Sequence, residues 1–192
     1  WGKNNINNSE KTNFTAVDGV YPRMATIVEA PTDPATYVYN QTYYFNITII
    51  DNIGIYNVIL QFNGANYSVQ IRNQSTTFMF NITDLGVALH NYTWYANDTS
   101  GYINSTSSTY NVNRASSSVK LTLAGNDSDI NVSVGSIVNM SGYRIVGESE
   151  IELLSNGSLL GIGNSSFSNN QTFSSLGNYN ITIRYNQTQN YT

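Results

Sequence analysis

Apolar and polar residues alternate through most of the chain. In Phe45-Asn46-Ile47-Thr48-Ile49 every second residue is apolar. A β-strand sends successive side chains to opposite faces, so this stretch reads as a half-buried strand. Phe45, Ile47 and Ile49 face inward; Asn46 and Thr48 face out. Phe80-Asn81-Ile82-Thr83, Asn91-Tyr92-Thr93-Trp94 and Asn180-Ile181-Thr182-Ile183 repeat the scheme. The pattern predicts strands over 25–29, 43–50, 55–62, 67–71, 77–82, 89–96 and 107–112. A second set follows over 119–123, 130–134, 137–140, 151–154, 159–162, 166–173 and 179–185. Residues that favour helices are scarce, while Tyr, Ile, Val and Thr are abundant.

Turn chemistry separates these runs. Asn63-Gly64 and Asn156-Gly157 fit two-residue hairpin turns, in which both positions need positive φ. Residues 51–54 and 98–101 are further turns. Pro22, Pro31 and Pro34 precede the second strand and bound an edge strand, since proline cannot donate to a ladder. Arg114-Ala115-Ser116-Ser117-Ser118 reads as a linker. The predicted fold is therefore all-β: two tandem immunoglobulin-like β-sandwiches, residues 21–113 and 119–192, joined by 114–118. Residues 1–20 form a polar N-terminal extension with one weakly apolar stretch, 14–20.

The halves align by spacing. Asn91-x-Thr93 matches Asn180-x-Thr182 at an offset of 89. Carried forward, the last strand of the first half, 107–112, would fall at 196–201, past Thr192. The second sandwich is thus expected to lack its final strand. The chain opens at Trp1 without a basic-then-apolar leader, which reads as a mature product whose export signal has been removed.

Composition narrows the class. Only 10% of the 192 residues are charged, against about a quarter in ordinary domains, and the formal net charge is −4. The eight Lys and Arg are scattered. These features argue against a basic nucleic-acid binder and a coiled coil. Apolar runs are far shorter than a membrane helix requires, so no membrane insertion is expected. There is no Cys, hence neither disulfides nor thiolate chemistry.

Polarity comes instead from 29 Asn, 22 Ser and 19 Thr. Nineteen of the Asn stand in N-x-[ST] without an intervening Pro: Asn7, Asn13, Asn40, Asn46, Asn66, Asn73, Asn81, Asn91, Asn97, Asn104, Asn126, Asn131, Asn139, Asn156, Asn164, Asn170, Asn180, Asn186 and Asn190. Random placement at this Ser and Thr content would give about six. The threefold excess points to N-glycosylation and so to an extracellular, cell-surface setting. A general bias towards polar residues is the plainer alternative, but it does not by itself create the pairing.

Catalytic chemistry finds little support. His90 is the lone histidine, on the apolar side of its strand, where packing is the simpler role. A nucleophile would have no second His or Cys for a base. The twelve carboxylates are dispersed. The densest group, Glu148-Ser149-Glu150-Ile151-Glu152, fits a solvated strand edge. No enzyme activity and no resident metal or cofactor are expected, apart from N-linked glycans. Asp127-Ser128-Asp129, Asp51-Asn52 and Asn97-Asp98 carry the oxygen donors that calcium accepts, yet Asp and Asn also favour turns for backbone reasons. Tyr92 and Trp94 could stack on carbohydrate, but alternate positions on a central strand favour the core.

Several stretches resemble a known family. Tyr43-Tyr44-Phe45-Asn46-Ile47-Thr48, Phe62-Asn63-Gly64-Ala65-Asn66-Tyr67-Ser68, Asp84-Leu85 and Trp94-Tyr95-Ala96-Asn97-Asp98-Thr99-Ser100-Gly101 resemble tandem immunoglobulin-like repeats of archaeal cell-surface proteins. Gly135-Ser136, Gly177-Asn178-Tyr179-Asn180-Ile181-Thr182 and Gln189-Asn190-Tyr191-Thr192 resemble a second, bacterial-type repeat. The resemblance spans residues 20–192 and implies β-sandwiches of adhesins, surface layers or filaments. Archaeal thread filaments are similar in plan: small glycosylated sandwich subunits that each insert a strand into a neighbour.

Two functions follow as expectations. One is a filament subunit assembled head-to-tail with copies of itself by donor-strand complementation, with residues 6–20 donating and Phe14, Ala16 and Val20 entering the groove. The other is a repeat pair of a larger surface-layer, stalk or adhesin glycoprotein. A carbohydrate-binding module is a third option. Neither leading reading calls for nucleic acid; both allow cell-surface contacts.

Overall fold

A computed structural model describes residues 19–69 and 76–192. Among these, every regular element is a strand. The first half contains β1 Arg23–Ala30, β2 Ala35–Thr36, β3 Thr42–Ile50, β4 Ile55–Phe62, β5 Ala65–Val69, β6 Thr77–Thr83, β7 Ala88–Asp98 and β8 Ile103–Asn113. The second contains β9 Ser118–Leu123, β10 Ile137–Val146, β11 Ile151–Ser155, β12 Ser158–Gly163, β13 Ser166–Thr172 and β14 Ile181–Tyr185. The sheet β1-β3-β6 faces β2-β8-β7-β4-β5, and β9-β10-β13 faces β12-β11-β14. Each pair is an immunoglobulin-like sandwich. Named strands pair antiparallel except β2 with β8.

The alternation in sequence becomes the first core. Tyr43, Phe45, Ile47 and Ile49 of β3 are buried opposite Tyr92, Trp94 and Ala96 of β7. Phe45 sits at the centre, edge-on to Phe62, Tyr92 and Tyr110 at 5.1–5.2 Å. Such aromatic pairs each add about 1 kcal/mol beyond the area they bury. Asn63 and Gly64 take φ of 47° and 84°, and Asn156 and Gly157 take 49° and 79°. Both hairpins therefore have the backbone that Asn-Gly favours.

The two sandwiches follow one plan. By sheet position β9, β10, β11, β12, β13 and β14 correspond to β1, β3, β4, β5, β6 and β7. Among the described residues β8 has no counterpart, and β14 is the last strand of its sheet. The second core is correspondingly thin: Val138, Met140, Ile151 and Leu153 are buried, while Phe167, Phe173, Ile181 and Ile183 are only partly covered. Two glycines bring its layers together. A Cβ on Gly142 would lie 2.1 Å from Ile183 Cδ1, and one on Gly161 would lie 2.1 Å from Phe167 Cζ.

Most expected strands form within a few residues of their predicted ends. The run 130–134 does not: it forms no ladder. Its Ile130, Val132 and Val134 alternate properly, but a strand also needs a partner, and no described strand pairs with them. β2 is too short to leave a pattern. β10 extends to Val146 because β9 follows it there, Val119 opposite Arg144 and Ser118 opposite Val146, whereas its pairing with β13 ends at Tyr143. The run 67–71 ends beyond the described residues.

After β14 the chain turns back against the first sandwich. Tyr191, 8% exposed, belongs to the first core. Asn190 Oδ1 accepts from the Val87 N–H at 3.0 Å, and its Nδ2 donates to Glu148 at 3.2 Å. The Ala115 N–H donates to the Asn190 carbonyl at 2.9 Å. Arg114 donates to the Gln189 carbonyl at 3.1 Å.

Candidate functional site: an unfilled strand position

In the first sandwich, β8 completes the sheet. It runs beside β7 from Asn97↔Ile103 to Ala88↔Val112, and β2 pairs in parallel with its end at Val112 and Asn113. Tyr110 and Val112 point into the core with 0% and 1% exposure. The Tyr110 hydroxyl donates to the Pro31 carbonyl at 2.7 Å.

The second sandwich keeps the flanks of this arrangement without its centre. In chain order segment 129–134 lies between β9 and β10 as β2 lies between β1 and β3, and β14 corresponds to β7. Between them lies a cleft of about 540 Å³, bounded by Ile130, Val132 and Val134 on one side and Tyr179 and Ile181 on the other, with Val138 at its base. Tyr92 and Trp94 are sealed in the first core at 2% and 0% exposure. Their counterparts at the offset of 89, Ile181 and Ile183, stay partly exposed. Among the described residues β14 pairs only with β11, so its other edge lies beside apolar side chains as a template for one more strand.

The expected donor residues Phe14 and Ala16 lie outside the described residues, as do Asn7, Asn13 and Asn73. Val20 is exposed just before β1. Among the sixteen described sequons, twelve Asn are exposed: Asn40, Asn66, Asn81, Asn91, Asn126, Asn131, Asn139, Asn156, Asn164, Asn170, Asn180 and Asn186. Asn46, Asn97, Asn104 and Asn190 are half-buried. Asn104 Nδ2 donates to the Pro22 carbonyl at 2.8 Å.

Residues weighed for chemistry are held by structure. His90 is 6% exposed, stacked on Phe62 at 5.5 Å, with one ring nitrogen 2.9 Å from Asn63 Nδ2 and the other 2.9 Å from the Gly86 carbonyl. Asp51 Oδ1 accepts from the N–H groups of Ile53 and Gly54, and Asp98 Oδ1 from those of Ser100 and Tyr102. These are local turn bonds. Among the described residues no group of three His, Cys, Asp or Glu converges. No helix among them is long and apolar enough to cross a membrane. Glu152 accepts hydrogen bonds from Asn186 and then Arg184, which hold its carboxyl below the usual range. Burial raises the hydroxyls of Tyr37, Tyr43, Tyr92 and Tyr191, and pushes Tyr110 up to about 12. Hydrogen bonds to Asp84 and Glu29 add to the rise at Tyr37 and Tyr92.

Sequence reasoning misses the junction formed by Asn190 and Tyr191. The signal was the offset itself, since Tyr191 stands 89 residues after Tyr102.

No family model matches the chain. No curated protein matches it either. Among solved structures it is similar to fibronectin(III)-like modules of Clostridium thermocellum CbhA, at 13% identity and a TM-score of 0.38, covering 82% of this chain and 83% of that one. It is similar to dimeric latent PorU from Porphyromonas gingivalis, at 13% identity and a TM-score of 0.39, covering 86% of this chain and 17% of that one. It is also similar to a 1.5-MDa bacterial ice-binding adhesin, at 14% identity and a TM-score of 0.37, covering 81% of this chain and 55% of that one.

Proposed function

We propose that the chain is a structural, non-catalytic subunit of an N-glycosylated extracellular filament, assembled head-to-tail from copies of itself by strand donation. The observation that carries this reading is the unfilled position between β14 and segment 129–134. The template for its occupant is β8, whose inward residues at its end are Tyr110 and Val112. Phe14 and Ala16 repeat that aromatic-x-aliphatic spacing within the segment 6–20. A strand lent to the next copy leaves the donor's own position open, so the contact propagates instead of closing. With few charges on the polypeptide, glycan at the sequons supplies the hydrated surface such a thread requires.

Electron microscopy of the purified chain, with and without residues 1–20, tests this. The full chain should form filaments and the truncated one should remain monomeric; filaments of equal length from both would remove strand donation by this segment. A synthetic peptide of residues 6–20 should bind the truncated chain and raise its melting temperature.

A specific contact favours a second reading, in which this is a repeat pair of a larger archaeal surface-layer, stalk or adhesin glycoprotein. Tyr191 bridges Ala115 in parallel, and the Ser117 N–H donates to the Thr192 carbonyl at 3.0 Å. The chain there heads back along the second sandwich, as β8 does in the first. Residues following Thr192 could then fill the position themselves. The mass of the native polypeptide separates the readings: a chain well beyond 192 residues supports the second.

A further inference from the structure

We propose that Tyr102 of one copy, backed by Tyr21, seats in the open pole of another copy's second sandwich, repeating between chains the joint that Tyr191 makes within one. This rests on the filament reading and names the contact that would lock its subunits.

Tyr102 and Tyr191 are structural counterparts. Each is reached by the turn that follows the corresponding strand, β7 or β14. The Asp98 N–H donates to the Tyr102 carbonyl at 3.1 Å, and the Tyr102 N–H donates back to Asp98 Oδ1 at 2.9 Å. The Thr188 N–H donates to the Tyr191 carbonyl at 3.0 Å, and the Tyr191 N–H donates back to Thr188 Oγ1 at 3.1 Å. Chemically different capping groups, four residues before Tyr102 and three before Tyr191, thus make similar reciprocal pairs.

The counterparts differ in what their rings meet. Tyr191 closes the pole of the preceding sandwich, edge-on to Tyr37 at 5.5 Å. Tyr37 directly follows β2, and its N–H donates to the Asn113 carbonyl at the end of β8. Tyr102 packs edge-on to Tyr21 at 4.9 Å, and Tyr21 is 57% exposed. At the matching pole of the second sandwich, Phe173 and Tyr179 pack at 4.2 Å beside Leu176, which is 91% exposed. One pole of the molecule offers an aromatic pair, and the opposite one an uncovered aromatic seat.

Chain direction agrees. Within the molecule, β8 passes through 114–117 into β9, and this path brings the second sandwich under the first. A donated strand of residues 6–18 would pass through 19–22 into β1 in the same sense. The donor's first sandwich would then stand to the acceptor's second as the second stands to the first. Tyr102 would arrive where Tyr191 arrives.

The test uses the full chain and sedimentation velocity over a concentration series. Tyr102→Ser should weaken self-association at least tenfold, the scale of a central aromatic anchor. Its far-ultraviolet dichroism and monomer melting temperature should match the parent. Tyr102→Phe should assemble normally, because the ring makes the contact. Leu176→Asp, at a fully solvated position on the seat, should weaken assembly as Tyr102→Ser does. Parent-like assembly of both Tyr102→Ser and Leu176→Asp overturns the joint while leaving strand donation standing. A parent chain that stays monomeric at every concentration overturns both.

Discussion

Asn156 and Asn180 bind each other through two reciprocal hydrogen bonds. The Asn156 N–H donates to the Asn180 carbonyl at 2.8 Å, and the Asn180 N–H donates to Asn156 Oδ1 at 2.8 Å. Asn63 and Asn91 make the same pair in the first sandwich, at 2.8 and 3.1 Å. The Asn of an Asn-Gly turn therefore has two roles. It supplies positive φ for the hairpin, and its side chain ties that hairpin to the start of the neighbouring strand.

This separates two sequon residues that look alike in sequence. Asn156→Ala removes the acceptor and the turn preference, and should cost about 1–2 kcal/mol. Asn180→Ala keeps both bonds, because Asn180 contributes only its backbone, and should change stability by less than about 0.5 kcal/mol. Both substitutions delete a sequon, so any common effect of lost glycan cancels between them. Urea unfolding of the pair is the measurement; equal losses would refute the side-chain role.

The junction carries the second prediction. Tyr191 fills the end of the first core, so Tyr191→Ala should lower the stability of the first sandwich by about 3 kcal/mol, as for other buried aromatics. Tyr191→Phe keeps the ring against Tyr37 and should be nearly silent. Hydrogen exchange of the Val87 and Ala115 amides should rise with the Ala variant, since both are bonded by the neighbouring Asn190. Unchanged exchange there would mean that Tyr191 does not hold the joint.

How much of this was legible beforehand depends on range. β4 is read to the residue from its alternation and its flanking turns, because both signals are local. Phe45, Ile47 and Ile49 declare their face for the same reason. The alternation of Ile130, Val132 and Val134 is just as clear and still yields no strand, because pairing depends on a neighbour the local pattern does not contain. The unfilled position was legible as a mismatch between two halves. Its closing aromatic pairs were not, since packing of Tyr191 on Tyr37 joins residues 154 apart with no local mark on either. The correspondence of Tyr102 with Tyr191 becomes visible only once their turns can be compared.

Buried tyrosines set the response to alkali. Tyr37, Tyr43, Tyr92, Tyr110 and Tyr191 hold their protons more tightly than free tyrosine, chiefly through burial. The unfolded chain releases those protons near pH 10. Above that pH the folded chain binds more protons than the unfolded one, so stability falls as pH rises. It is unaffected by these groups at lower pH. The melting temperature should be level from about pH 6 to 9 and drop steeply above about pH 10. Glu152 acts in the opposite direction, its small contribution fading as pH falls through the carboxylate range, and the solvent-exposed Arg184 partner keeps that effect slight. The part of the tyrosinate absorbance that comes from these five buried rings should develop together with unfolding. Complete ionisation of all fifteen tyrosines in a chain that keeps its strand dichroism would contradict the burial argument.

Glycan occupancy should follow the position of each acceptor nitrogen. The outward Asn of the strand sequons, such as Asn81, Asn91 and Asn180, are exposed while the apolar residue between Asn and Thr faces the core. Sugar at these sites displaces no packing. Asn104 and Asn190 differ. Asn104 spends Nδ2 on the Pro22 carbonyl and its Oδ1 on the Ser105 N–H. Asn190 is held by Val87 on one side and Glu148 on the other, inside the junction between sandwiches. A sugar would compete with the Pro22 carbonyl for the half-buried nitrogen of Asn104, and with the Glu148 carboxylate for that of Asn190. Glycopeptide mass spectrometry of material from its natural source should therefore find the exposed sequons modified and Asn104 and Asn190 bare. Replacing Thr192 by Ala deletes the Asn190 sequon while keeping the amide, and should leave both mass and melting temperature close to those of the parent. Full occupancy at Asn190 in folded protein would show that the junction opens far enough to admit glycan, and would count against Asn190 as its fastening.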